Sequence, residues 1–214
     1  MKPFVISHPR SGLHLFSSII NMELRANWRE MGKDEGILSE LQNSEKNELV
    51  FTHNIAENFS ESTIDQILST TKPIFIVRCP KDTLFSWIIT RDIFYEYDLD
   101  RLKRKLLDKY PLAPQYDRID FWRKNIEGWR KYEDRFLVVR YENLLNHYEQ
   151  ESKRISDYLS LPVKDKLPPV KQVALSRKGI IGDHKRVFDE ELINMIDTRC
   201  AEEIRYIDKF LCRE

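Results

Sequence analysis

The sequence predicts an α/β domain, one central parallel sheet flanked by helices, spanning residues 1–214. Three observations predict it. Four short runs, at 4–7 (FVIS), 49–53 (LVFTH), 74–78 (IFIVR) and 136–141 (FLVVRY), are apolar without strict alternation, as strands covered on both faces must be. Segments with helical spacing lie between and after them, and strands alternating with helices build parallel sheets through right-handed crossovers. At 214 residues, 41% hydrophobic and 33% charged, the chain can bury one core and is short for two.

Taken in order, the first strand breaks at Pro9, Arg10, Ser11 and Gly12. Beyond that turn Phe16, Ile19, Ile20 and Leu24 share a helical face, which predicts a helix over 15–31. Ser62, three residues before Asp65, gives a capping pattern for a helix over 62–70. Pro80 suits the first position of a helix over 80–95. Further helices are expected at 118–134, 145–160 and 189–211, with Pro162 closing the second. Trp122 and Trp129, seven apart on one helix, read as core, and the basic run at 101–105 as a solvated helix face. Segments 32–48 and 98–117 fit neither period.

Charge and cysteine usage exclude several classes. Lys plus Arg (35) balances Asp plus Glu (35), so no global basic field exists for nucleic acid and any anion site must be local. Three cysteines (Cys79, Cys200, Cys212) without C-x-x-C spacing argue against a disulfide framework and a structural zinc site, and suit a reducing compartment. No run resembles a signal peptide or a membrane span, so the reading is cytoplasmic. No carboxylate or histidine cluster has metal-ligand spacing, and no metal is expected.

Ligands of open parallel sheets sit at the carboxyl ends of the strands, and the residues there are chemically unusual. The first strand ends in His8-Pro9-Arg10-Ser11-Gly12, the second in Thr52-His53-Asn54, the third in Arg78-Cys79-Pro80 with Ser86 eight residues beyond Arg78, and the fourth in Arg140-Tyr141-Glu142. Late in the chain, RKGIIGDHK (177–185) adds Arg177, Lys178 and Lys185. Several guanidinium groups converging on one crevice suit a multiply anionic ligand, because forked donors match phosphate and sulfate oxygens.

These motifs resemble those of the sulfotransferases that use 3′-phosphoadenosine 5′-phosphosulfate (PAPS), closest in style to the cytosolic group, whose fold is like that of P-loop NTPases. SHPRSGLH resembles their 5′-phosphosulfate loop, FTHN their Thr-His segment, IFIVRCPKDTLFSW their 3′-phosphate motif, VVRYENLL their Tyr-Glu-Asp segment, and RKGIIGDHKRVF their Arg-Lys-Gly-x-x-Gly-Asp-Trp-Lys signature. The five run in order from residue 4 to about 188. The resemblance implies His53 and Arg10 as catalytic residues, and Arg10, Ser11, Gly12, Leu13, His14, Arg78, Ser86, Tyr141, Arg177, Lys178 and Gly179 as cofactor contacts. It implies PAPS as cofactor, adenosine 3′,5′-bisphosphate (PAP) as product, and a small-molecule, lipid or carbohydrate hydroxyl as acceptor.

The chain also departs from the family pattern. Arg10 stands for Lys, Leu13 and His14 for a threonine pair, Leu15 for the tryptophan that stacks on adenine, Phe51 for Lys and His184 for Trp. Asp189 and Glu190 occupy Thr-Val positions of the family's dimer motif. Segments 32–48 and 98–117 are expected to shape the acceptor pocket. Glu57 is a rival base, and His8 carries no assignment. Two other readings remain. A P-loop kinase would need G-x-x-x-x-G-K-[ST], which residues 5–12 lack. A non-catalytic nucleotide-binding relative would share the fold and the cofactor site.

Overall fold

The computed structural model describes residues 1–25, 34–91, 98–111, 113–169 and 180–212. Its centre is a five-stranded sheet of β1 (Lys2–Ser7), β2 (Glu23–Arg25), β3 (Glu48–Thr52), β4 (Thr71–Val77) and β7 (Leu137–Arg140). The order is β2-β3-β1-β4-β7 and every pairing is parallel, with Phe4 opposite Val50 on one side of β1 and Ile6 opposite Phe75 on the other. The four apolar runs are thus all strands, and Phe4, Val5, Ile6, Leu49, Ile74, Phe75, Ile76, Val77 and Val139 are fully buried, as helices on both faces require.

Chain order and spatial order part company at β1, which lies between β3 and β4. Connections leaving neighbouring strands in opposite directions open a crevice at their carboxyl ends. The turns after β1, β3, β4 and β7 border that crevice.

The predicted helix over 15–31 is the largest departure. Helix α1 (Leu13–Ile19) ends early because Asn21 takes a left-handed φ of 53°, and the chain turns into β2. That edge strand is secured by Arg25, which pairs with Glu40 and, at 2.6 Å, with Glu48. A short amphipathic run cannot declare which it will be when three residues pair with an edge.

Helix α2 (Asp34–Asn43) fills part of 32–48. Helix α3 (Glu61–Thr70) is capped by Ser60, not Ser62: the Ser60 hydroxyl accepts from Thr63 N at 3.3 Å. Helix α4 (Pro80–Arg91) starts on Pro80 as expected; the rest of the predicted span, 92–95, lies outside the described residues. Segment 98–117 becomes α5 (Leu99–Leu107) and an antiparallel hairpin of β5 (Lys109–Tyr110) and β6 (Ala113–Asp117).

Helix α6 (Arg118–Arg130) follows, and both Trp122 and Trp129 on it are fully buried. The remaining spans each divide: α7 (Tyr141–Asn146) and α8 (Tyr148–Leu159), then α9 (Glu190–Arg199) and α10 (Ala201–Asp208). Asp189 caps α9 by accepting from Leu192 N at 2.9 Å, and Lys103 reaches across from the basic run to Asp189 and Glu191. That run is half a helix face in water and half a tie between α5 and α9.

Candidate functional site

The loop after β1 has an unusual backbone. Arg10 (φ 71°) and Gly12 (φ 113°) both take positive φ, and Ser11 N closes the turn on His8 O at 3.1 Å. Successive left-handed and right-handed residues gather backbone N–H groups into a concavity suited to an anion. No side chain caps α1, and its first turn carries no acidic residue. The Ser11 hydroxyl, 1% exposed, has no hydrogen-bond partner. Leu13 and Leu15 put their side chains in the core, so what Leu13 offers a ligand is its N–H. His14 is half-buried, and burial, then the Arg10 charge, lower its pKa.

Only glycine fits at position 12. A Cβ there would lie 2.4 Å from Cδ2 and 2.9 Å from Cε2 of Tyr141, the first residue of α7. The turn after β7 therefore packs directly on the loop after β1. Arg78, at the end of β4, joins both: its guanidinium carbon sits 4.3 Å from the Tyr141 ring centroid, and its Nη1 donates to Arg10 O at 3.1 Å. Arg10 Nε in turn donates to Ser86 Oγ at 3.3 Å. The structure thus brings together Arg10, Ser11, Gly12, Arg78, Ser86 and Tyr141, drawn from three separate turns. Arg78 is 8% exposed, and its Nε is buried without a partner.

Two orphaned buried donors, Ser11 Oγ–H and Arg78 Nε–H, beside a glycine cradle, fit a ligand rich in phosphate oxygens. Such groups are rarely left unpaired, because each costs roughly 1–3 kcal/mol. Arg177, Lys178 and Gly179 lie outside the described residues.

His53 follows β3 on the other side of β1. Its Nδ1 lies 2.8 Å from Ser7 O and 3.1 Å from Ser7 Oγ. A carbonyl oxygen only accepts, so this contact assigns the proton to Nδ1 and leaves a lone pair on Nε2. Burial lowers the His53 pKa to about 4; the Ser7 carbonyl opposes this, while His14 and Arg10 reinforce it. The next residue is fixed by α6: Asn54 O accepts from Trp129 Nε1 at 2.8 Å and from Asn125 Nδ2 at 3.1 Å. Trp129 is core, and its indole N–H also fixes the backbone one residue after His53. Glu57, the rival base, is on the surface and accepts from the Tyr116 hydroxyl at 3.2 Å.

Sequence reasoning missed three features. His8 is fully buried, with Nδ1 2.7 Å from Pro9 O, its Nε2 unpartnered and its ring edge-on to Trp87 at 4.8 Å; burial lowers its pKa to about 3. Glu142 accepts from Cys79 N (2.9 Å) and Arg140 Nε (2.6 Å), so one carboxylate staples the turns after β4 and β7. Asp82 on α4 holds the segment from Gly182 to His184. All of these residues stand in motifs visible in the sequence, but nothing in the sequence pairs them with these partners.

A parallel sheet with such a donor-lined crevice at its switch point defines an anion-binding α/β protein of the P-loop-like kind. The family model of the sulfotransferase domain matches residues 33–176. The chain belongs to that sulfotransferase family. No curated protein matches it in sequence.

Solved structures share its fold. One is the mouse sulfotransferase SULT7A1 complexed with PAP: 22% identical, covering 95% of this chain and 84% of that one, with a TM-score of 0.69. Another is retinol dehydratase in complex with androsterone and the inactive cofactor PAP: 15% identical, 95% and 80% covered, TM-score 0.65. A structure of retinol dehydratase with retinol and PAP is 14% identical, with 100% and 83% covered and a TM-score of 0.63. Among the described residues no helix is long and apolar enough to cross a membrane, and no group of three or more His, Cys, Asp or Glu is arranged to hold a metal ion.

Proposed function

We propose that this sulfotransferase moves the sulfuryl group of PAPS to a hydroxyl of a small-molecule, lipid or carbohydrate acceptor, with His53 as general base. The observation that carries the reading is the His53 tautomer: Nδ1 lies 2.8 Å from Ser7 O, which assigns the proton to Nδ1 and makes Nε2 the basic nitrogen. The whole chain acts as one sulfotransferase domain, in a reducing, cytoplasmic setting consistent with three free cysteines.

PAPS, when bound, supplies the sulfuryl group and a phosphate leaving group. His53 Nε2 takes the proton of the acceptor hydroxyl while that oxygen bonds to sulfur and the sulfur–oxygen bond to the 5′-phosphate breaks. A base so placed contributes about 10²–10⁴-fold. Arg10 meets the charge left on the phosphate, and the Gly12 N–H with the Ser11 hydroxyl would hold its oxygens, while Ser11 N–H stays on His8 O and keeps the loop closed. Arg78 and Ser86 grip the 3′-phosphate, joined by Arg177, Lys178 and Gly179. Tyr141 would contact adenine. An anion against Arg10 offsets part of the charge that holds the His53 pKa down, which makes the imidazole a better base once the cofactor is bound. The androsterone and retinol of the retinol dehydratase structures support an apolar acceptor bearing a hydroxyl.

The test is calorimetric titration with PAP, AMP, and ATP plus Mg²⁺, on the native chain and on His53→Ala and Arg78→Ala. Metal-independent binding that needs the 3′-phosphate is expected. H53A keeps PAP affinity but loses most conversion of PAPS to PAP across a panel of phenols and alcohols, whereas R78A weakens PAP first. No preference for the 3′-phosphate, or ATP binding that requires Mg²⁺, overturns the reading.

A further inference from the structure

The anion site contains a buried anion of its own. Asp82, 2% exposed, lies in the first turn of α4, four residues after Arg78 and four before Ser86. Residues four apart share a helix face, so the carboxylate and Ser86 look the same way. A carboxylate there should compete with a bound phosphate for Arg78, or repel that phosphate.

The fold gives that carboxylate other partners. Gly182 N donates to Asp82 Oδ2 at 2.8 Å, and Asp82 Oδ1 lies 2.6 Å from His184 Nδ1 and 3.4 Å from His184 N. Gly182 reaches this position with a φ of 80°. The turn then closes on itself, with Lys185 N donating to Gly182 O (3.1 Å) and Phe188 N to His184 O (2.8 Å). Phe188 packs edge-on against Phe85, one residue before Ser86, at 5.4 Å. His184 is 4% exposed, so its contact with Asp82 is shielded from water.

We propose that His184 is a positioning residue for the 3′-phosphate site: by engaging Asp82 it keeps this carboxylate from opposing the phosphate that Arg78 and Ser86 bind. The proposal rests on the cofactor site described above and predicts an electrostatic role distinct from a packing role. A hydrogen bond to a charged group is worth about 10- to 100-fold in an equilibrium.

Calorimetry with PAP and with AMP, on variants whose thermal midpoints are also measured, separates the two. His184→Leu raises the Kd for PAP about 10- to 100-fold and leaves that for AMP within about twofold. His184→Asn, whose amide N–H sits where Nδ1 sat, restores PAP binding. Asp82→Asn loosens the same turn but leaves no charge, so it stays close to the native affinity and recovers most of the loss when combined with H184L. If H184L does not fold, the D82N and H184N variants still decide: a packing role makes D82N as damaging as losing His184. PAP affinity unchanged in H184L, equal losses for PAP and AMP, or no recovery with D82N each overturn the proposal alone. A native chain that binds PAP no better than AMP overturns the cofactor reading and the proposal together.

Discussion

Replacing Gly12 with alanine adds one methyl group and is expected to damage the protein as a core mutation would. Two effects act. A φ of 113° is open to glycine but costs an L-residue about 1–2 kcal/mol. The new Cβ would also sit 2.4 Å from Tyr141 Cδ2, and that ring is 4% exposed and lies under the Arg78 guanidinium. It cannot swing aside without giving up that contact, so overpacking adds about 1–3 kcal/mol. Together these give about 2–5 kcal/mol, which in a domain of this size lowers the thermal midpoint by about 5–15 °C. Thermal unfolding followed by circular dichroism reads the effect directly. The double variant Gly12→Ala with Tyr141→Ala removes the collision, so its loss should be well below the sum of the two single losses. A G12A midpoint within 2 °C of native, or strict additivity in the cycle, would refute the reasoning.

The other predictions concern histidines and their supports. Burial holds His53 to about 4 and His8 to about 3, below the ordinary value of 6.5, so between those limits the unfolded chain binds protons the folded chain refuses. The stability these two groups confer is complete above pH 6.5 and falls as the pH drops toward 4; urea unfolding at pH 7.5 and 5 should show it, and equal stabilities would contradict it. Trp129→Phe keeps the ring packing but removes the N–H that fixes Asn54 O. It should lower turnover about tenfold with PAP affinity unchanged, and a loss of PAP affinity instead would place Trp129 on the cofactor side.

The sheet was legible because a strand buried on both faces leaves a continuous apolar run whatever surrounds it, and all four runs are strands. β2 was not, because its three residues are held by edge pairing and by Arg25 with Glu40 and Glu48, contacts that exist only once the fold does. The α3 cap shows the same limit at shorter range. Ser60 and Ser62 both precede the apolar positions, and their hydroxyls lie 3.1 Å apart; backbone geometry, not sequence, chooses between them.

In the site, the strand-end motifs pointed to Arg10, Arg78 and Ser86, which the structure brings together, and the family resemblance pointed to His53. What holds those groups in place was not visible. The Ser7 carbonyl sets the His53 tautomer, Tyr141 demands a glycine opposite, Glu142 staples two turns, and Asp82 anchors a third from 100 residues away. Three of these supports act through backbone N–H or C=O groups, which every residue carries and no motif can mark. The fourth, Tyr141 against Gly12, is a steric match between two residues that a motif reports separately. A chain with zero net charge can therefore hold a highly anionic ligand by concentrating donors at one switch point and committing its nearby carboxylates to internal partners. Glu142 is committed to Cys79 N and Arg140, and Asp82 to Gly182 N and His184. Removing either set of internal donors should weaken the anion site even though no phosphate contact is touched.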